Sequence, residues 1–539
     1  MISIIAFIIL LAFIVRSLRQ VFYQTYLWQL KEYRWDRFWS FLKTHQGRQL
    51  IFNKLSIFKW ILFILIYIFP IFNSRLRGEI PSFAVIIYSF YLFWFTWILE
   101  LVLSIRDLYL KKWRLPVFTP KSVLIIIAVL SIQFFPLINI YWVSVLLLGP
   151  LLDKILAPSV VLSVTFFNLP SHFFRLIIYK QAQFKIRRLS RLKVIAITGS
   201  FGKTSTKTFL EKILSAEYKV SATPGSFNTD LSVARHINLN LNENIDFFIV
   251  EMGAYRRGEI NKICQLVSPH TGIITALGSQ HLDLFGSRQN LIKAKFELID
   301  SLPSGGLAII NSPDPLLKPM IVKAKKRLDN MLLINKSEMT KNRQINKTFL
   351  QFDLKLNNRL FHFKANLIGE QNIDNLVLAI SAANLLGVSM PVIQKEVSTI
   401  TPPAKTMQIV RDTKNLTLID DTFNVNYEGI LSAINYLKLY HGLRVIFLNP
   451  LIELGNKSRE FHQNIGKKAG DICHFLITTN LNNYPDLLSG INHSEKRIAK
   501  LLLADNKTVT RIREELTYDS VILFAGKESF KWISFFIKI

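Results

Sequence analysis

The segment Val194-Ile195-Ala196-Ile197-Thr198-Gly199-Ser200-Phe201-Gly202-Lys203-Thr204-Ser205 passes from a β-branched run through two glycines to a Lys-Thr pair. A strand that turns on glycine into a helix points free backbone N–H groups at one small volume, and phosphate is the anion that fits there. Gly199 and Gly202 permit close backbone approach, Lys203 can reach β- and γ-phosphates, and the Thr204 hydroxyl suits Mg²⁺. Ser200 and Ser205 lie in the same turn, so the loop as a whole is expected to hold ATP. The strict Walker spacing would place a glycine where Ile197 stands; this is a shortened variant that keeps the mechanical parts.

Other positions could join it. Glu251 closes the apolar run 246–252, and a carboxylate buried there needs either a cation or an ordinary salt bridge. His281 follows the expected strand 272–276, a place beside the loop that favours a metal role over a satisfied loop histidine. Lys295 sits on an expected helix, 288–301, where a lysine taken alone reads as solvated. Asp421 and Asn424 follow the run 416–420 and taken alone read as turn residues bonding their own backbone. Cys264 and Cys473 lie far apart without Cys/His ligand spacing, so neither a disulfide framework nor a zinc site is indicated and a reducing compartment fits.

Thr-Gly-x-x-Gly-Lys-Thr with this shortened spacing resembles the Mur ligases, which join amino acids or peptides to carboxylates in cell-wall precursors. Val250-Glu251-Met252-Gly253-Ala254 is similar to that family's strand-end Glu-x-Gly-Ala, whose glutamate serves Mg²⁺. Gln280-His281-Leu282-Asp283-Leu284-Phe285-Gly286-Ser287 resembles its His-Leu-x-x-Phe-Gly-Ser segment, whose histidine serves a metal ion. Ala294-Lys295-Phe296-Glu297-Leu298 resembles its Ala-Lys-x-Glu helix, whose lysine is carbamylated in several members. The resemblance continues through Gly369 to Asn375, Asp420 to Asn426 and Glu453-Leu454-Gly455, covers about residues 193–530, and in motif order is closest to the D-alanyl-D-alanine-adding branch.

The resemblance implies catalytic roles for Lys203, Lys295 and His281, and metal ligation by Thr204, Glu251 and His281. Nucleotide contacts would come from Gly199, Ser200, Gly202, Lys203, Thr204, Ser205, Asn372, Asp421 and Asn424. It implies phosphoryl transfer from ATP to a carboxylate, attack of an amine on the acyl phosphate, and collapse to amide and phosphate. The expected partners are a UDP- or lipid-linked muramyl peptide and an amino acid or dipeptide.

Such residues need a scaffold, and 539 residues, half of them apolar, allow two or three domains. The 66 Lys plus Arg against 37 Asp plus Glu give a net charge of +29. Arg16, Arg19, Lys111, Lys112, Arg114, Arg187, Arg188 and Arg191 flank apolar stretches, which favours a lipid bilayer over nucleic acid. Up to residue 170 the chain repeats apolar runs suited to a ~30 Å hydrocarbon core, which needs about 20 helical residues. Met1–Val15 is read as an anchor, since it lacks the basic start and cleavage site of a signal peptide. Ile57–Phe72, Ile80–Ile105 and two crossings within Ser122–Asn168 bring the total to about five spans. Asp153-Lys154, inside that last block, is read as a loop at the membrane face. Basic segments 16–56, 106–121 and 174–193 then share one side, the cytoplasm of a bacterial inner membrane, with all later residues.

Beyond residue 193, short β-branched runs alternate with helical segments, as in a parallel sheet covered by helices. Strands are expected at 194–198, 246–252 and 272–276, with helices at 203–216 and 288–301. A second alternating unit begins near Thr401-Pro402-Pro403, with strands at 416–420, 445–448, 475–478 and 521–524. The fold class is therefore multi-domain: an α-helical transmembrane region (1–170), a basic juxtamembrane linker (171–192), an α/β P-loop central domain of Mur ligase type (193–400) and a Rossmann-like α/β C-terminal domain (401–539).

The pattern departs from the family in places. Its D-alanyl-D-alanine-adding branch opens on a soluble domain for a uridine-diphosphate sugar, and apolar spans stand there instead. Ala276, Gln371 and Tyr427 replace a frequent Asn, His and Pro. Ala404-Lys405 stands where the family has Gly-Arg, and lysine does not reproduce a bidentate arginine. Ala525-Gly526-Lys527-Glu528 stands where the branch has Lys-Gly-Ser-Arg. Two alternatives follow: an amide ligase for another polymer such as polyglutamate, or a catalytically degenerate nucleotide-binding membrane scaffold.

Overall fold

The computed structural model describes residues 2–43, 47–48, 52–70, 81–110, 112–138, 142–278, 282–312 and 314–537. They form two compact units, 1–176 and 177–539.

In the first unit the apolar runs are helical, the conformation in which a segment without water meets its own backbone hydrogen bonds. The main helices are α1 (Ile2–Leu30), α2 (Lys54–Phe63, prolonged by a π-turn at Ile64–Ile68), α3 (Pro81–Tyr109), α4 (Pro120–Ile138) and α5 (Trp142–Arg188), with a shorter one at Trp35–Lys43. Among the described residues, three stretches, Phe7–Leu30, Ala84–Tyr109 and Leu147–Arg188, are long and apolar enough to cross a membrane by length and composition. The end of the expected span Ile57–Phe72 and its following loop lie outside the described residues, as does Met1. Aromatic packing ties α1 to α3, with Phe13 and Trp97 ring centroids 5.2 Å apart.

The Asp153-Lys154 pair corrects the sequence reading: it lies inside α5, which also runs through Pro150, Pro158 and Pro170, and Asp153 is 8% exposed. Its partners, Arg16 at 2.6 Å and the Trp97 indole N–H at 3.1 Å, come from α1 and α3 and leave no trace near residue 153 in the sequence. Residues 171–188, read as linker, continue the same helix.

In the second unit, strand alternation explains the layers. Along β1 (Lys193–Thr198), Val194 and Ala196 enter one core while Ile195 and Ile197 enter another. Both faces are apolar, so helices must cover both, as in buried parallel sheets. β2 (Val220–Ala222), β3 (Phe247–Glu251), β4 (Thr271–Ile274), β5 (Leu307–Asn311) and β6 (Asn330–Ile334) complete a parallel sheet ordered β2-β3-β1-β4-β5-β6. Because β1 lies between β3 and β4, the chain reverses direction across the sheet at the P-loop strand, where α/β sheets open a ligand crevice.

An antiparallel meander that the alternating α/β reading did not include follows: β7 (Thr340–Ile345), β8 (Leu350–Leu356) and β9 (Arg359–Ala365). Leu350, Phe352 and Leu354 on one face of β8 join the core under β1. The last sheet comprises β10 (Gln408–Asp412), β11 (Leu416–Asp421), β12 (Arg444–Leu448), β13 (Phe475–Thr478), β14 (Lys500–Leu503) and β15 (Ser520–Ala525). Its order is β10-β11-β15-β12-β13-β14, parallel except for the β10 edge.

Candidate active site

The loop after β1 closes on α6 (Lys203–Leu214), whose first turn includes Thr204 and Ser205. Gly202 caps that helix at φ +79°, and a Cβ there would lie 2.2 Å from the Asn375 Oδ1 of α8 (numbering α7 as Arg288–Asp300 and α8 as Gln371–Leu385). A Cβ on Gly199 would lie 1.9 Å from Thr275 Oγ1. Two neighbours from other elements thus press on the loop, and only glycine leaves room. From the β4 side, the Ser200 amide donates to the Ala276 carbonyl at 2.9 Å and Thr275 Oγ1 donates to the Phe201 carbonyl at 2.6 Å. Gly202→Ala is expected to destabilise the fold by about 1–3 kcal/mol, through positive φ and displacement of Asn375, measured by denaturant unfolding. An unchanged midpoint would refute the fit described.

Lys203 Nζ donates back to the Gly199 carbonyl at 2.9 Å and the Ser200 carbonyl at 3.1 Å, so its charge lies across the mouth of the loop. Loss of water holds its pKa below the usual lysine value, with the Glu251 charge opposing. Glu251, at the end of β3, is 1% exposed and fully engaged. It accepts from Thr204 Oγ1 at 3.0 Å, Lys207 Nζ at 3.2 Å and Asn228 Nδ2 at 3.1 Å. Lys207, one turn beyond Lys203, was not found by the sequence reading. It is 2% exposed and also donates to the carbonyls of Thr223 at 2.6 Å and Gly225 at 2.5 Å.

The Thr204 hydroxyl and Glu251 carboxylate form a small all-oxygen donor set. No group of three His, Cys, Asp or Glu gathers for a metal among the described residues. That sparse set fits Mg²⁺, which keeps much of its water and binds through one or two protein groups plus phosphate oxygens, better than it fits a caged metal. His281 lies outside the described residues.

Lys295 is 4% exposed on α7, so it is not the solvated helix lysine that its type suggests. Burial first, then the Lys203 charge, pushes its pKa down to about 7. The unfolded chain therefore binds this proton more tightly between pH 7 and 10.5, stability rises with pH across that window, and the penalty is complete below about pH 7. In bicarbonate-free buffer, Lys295→Met is expected to raise Tm most near pH 6, the gain shrinking toward pH 10. A gain independent of pH would argue against a buried amine.

Asn372 turns inward: its Nδ2 donates to the Ile368 carbonyl at 2.9 Å and its Oδ1 accepts from Asn375 at 3.2 Å. It therefore backs the loop through Asn375, a residue of the same Gly-Glu-Gln-Asn-Ile-Asp-Asn segment that the site assignment left out. Asp421 ends β11, accepts from the Met407 amide at 3.1 Å, and is pushed up to about 7 by loss of water. Asn424, three residues on, is exposed. The helix Tyr427–Tyr436 brings the last sheet to the loop, with Glu428 against Gly278 and Ser432 Oγ donating to Gln371 Oε1 at 2.6 Å. Lys405, at φ +63°, rests on the Phe530 ring at 3.9 Å.

The same stretch, residues 197–383, matches the Mur ligase middle domain. This central stretch is a Mur ligase middle domain. Among curated Mur ligases, the chain is 26% identical over 277 residues to the UDP-N-acetylmuramoyl-tripeptide–D-alanyl-D-alanine ligase of Bacillus subtilis, covering 51% of this chain and 59% of that one. The Escherichia coli ligase of the same name is 27% identical over 336 residues, covering 60% and 74%. Over its length the chain thus spans about three fifths of the first of these Mur ligases. Among solved Mur ligases, MurF of Acinetobacter baumannii superposes with a TM-score of 0.61 at 24% identity, over 68% of this chain and 80% of that one. MurF of Thermotoga maritima, solved in complex with ADP, gives 0.60 at 22% identity, over 68% and 83%. These likenesses establish the fold.

Proposed function

We propose that the protein is an ATP-dependent amide ligase that activates a carboxylate on a cell-wall precursor and joins it to an amino acid or dipeptide, in the manner of the D-alanyl-D-alanine-adding Mur ligases. The observation that carries this reading is the Lys203 ammonium lying across the loop mouth beside the Thr204–Glu251 pair. In this role the loop amides and Lys203 bind the phosphates and neutralise charge that grows on the transferred group. Thr204 and Glu251 would hold Mg²⁺, which supplies charge neutralisation at the phosphates when bound. Asp421 and Asn424 would meet the nucleoside from the other sheet, and closure of the two sheets would exclude water and align the amine. Lys295, with its pKa lowered to about 7, has a large share of the free amine that adds CO₂, so a carbamate there is expected as a ¹³C signal from labelled bicarbonate that Lys295→Met abolishes.

The apolar helices support a multi-pass membrane location with the ligase unit in the cytoplasm and a muramyl peptide presented as a UDP- or lipid-linked precursor. The deciding experiment is phosphate release from ATP by the detergent-purified full chain. Soluble and lipid-linked muramyl peptides are each paired with amino acids or D-alanyl-D-alanine. Release that requires both a carboxylate and an amine is expected. Nucleotide binding without release for any pair would favour a scaffold, the second reading, which Lys405 seated on Phe530 in place of a phosphate-facing arginine supports.

A further inference from the structure

The helices of the first unit bury charge at a depth where charge is costly. Arg16 of α1 donates from Nε to Glu100 Oε2 of α3 at 2.7 Å, and its Nη2 lies 2.6 Å from Asp153 Oδ1 of α5. Lys59 of α2 donates to the same Glu100 oxygen at 2.6 Å and lies 3.4 Å from Asp153. Lys154 Nζ stands 3.7 Å from the other Asp153 oxygen. Three cations thus face two carboxylates, leaving an excess of one positive charge, and Arg16 and Lys59 are only 7% and 3% exposed. Among the described residues, Arg16 Nη1 is buried with no hydrogen-bond partner.

A polar track leads to this cluster. Arg19, three residues along α1, donates to Ser104 Oγ at 3.0 Å and to Asp107 Oδ2 at 2.5 Å. Glu100, Ser104 and Asp107 recur at i, i+4 and i+7 on α3, so they line one face opposite the two arginines. The arginine side chains go from 35% exposed at Arg19 to 9% at Arg16. The shallow end lies toward Tyr109, where Lys112 and Arg114 follow in the sequence. An excess cation and an unspent guanidinium N–H suit an anion with several acceptor oxygens.

We propose that this track binds a phosphate group, entering from the basic end, with Arg16 and Lys59 as its charged donors. The inference rests on the membrane reading above. A phosphate borne on a lipid and free inorganic phosphate share that chemistry, and a track between apolar helices suits the lipid-borne form.

The test uses the full chain in nanodiscs of phosphatidylcholine with or without phosphatidic acid, bound lipid being counted by native mass spectrometry, with inorganic phosphate as competitor. Phosphatidic acid is expected to bind, and Arg16→Gln to weaken it at least about tenfold, the loss of one charge-assisted hydrogen bond. Glu100→Gln, which removes a negative charge and leaves both donors, is expected to tighten it severalfold; should it fail to fold, Lys154→Met must weaken binding without touching those donors. A purely structural ion pair gives no such opposite signs. Displacement by inorganic phosphate would identify the free anion as the occupant. Equal retention of both lipids, or Arg16→Gln and Glu100→Gln moving binding in one direction, would overturn the proposal. Release of the protein from native membranes by alkaline carbonate would instead overturn the membrane reading, and the site with it.

Discussion

Lys203→Ala is expected to cut substrate-dependent phosphate release by about a hundredfold or more while leaving Tm within a few degrees. The amine is a preorganised charge aimed at the loop mouth, and removing one such donor from a site where charge develops typically costs two to three orders of magnitude. Its present partners are carbonyls of its own loop, Gly199 and Ser200, and among the described residues no buried carboxylate depends on it for a hydrogen bond. The fold should therefore tolerate the loss. A variant retaining a third of the rate would show that the phosphates are held elsewhere.

Lys207→Met should do the reverse, striking stability first. Its Nζ bridges the Thr223 and Gly225 carbonyls and Glu251, and Lys207, Thr223 and Glu251 are all buried. Removing one partner of a buried ion pair strands the other, at a cost of about 3–5 kcal/mol. For a unit spanning residues 177–539 that is roughly a 5 °C drop in Tm. Lys212 on the same helix is the control: it meets Glu396 at 3.1 Å but is half exposed, so Lys212→Met should change stability by less than about 1 kcal/mol. Equal Tm values for the two variants would refute the bridging role. Because Thr204 shares Glu251 with Lys207, phosphate release should fall in the Lys207 variant even below its melting point.

What could be read without the structure was local. The P-loop declared itself because strand, glycines and helix are adjacent in the chain. Strand ends came within one or two residues, as with 194–198 against Lys193–Thr198, because runs of Val and Ile buried on both faces mark parallel strands. Lys207 stayed hidden because its partners lie 16 to 44 residues away, on the loop after β2 and at the end of β3. Lys295 was located by resemblance, yet its burial, the property that lowers its pKa, comes from packing around α7. The β7–β9 meander was passed over although Leu350-Gln351-Phe352-Asp353-Leu354-Lys355-Leu356 alternates strictly, which is the signature of a half-buried strand.

The pairing of Arg16 with Glu100 also sets an order of events during synthesis. The two are 84 positions apart, and at ordinary elongation rates Arg16 leaves the ribosome about 4–17 s before Glu100 does. Asp153 emerges later still. On the proposed membrane reading, a first helix carrying two arginines without counter-charges is a poor lodger in lipid, and the nascent chain would need shelter until α3 and α5 arrive. Truncations ending before residue 100 should accordingly be degraded faster than those ending beyond α5, a difference that pulse-chase labelling would register.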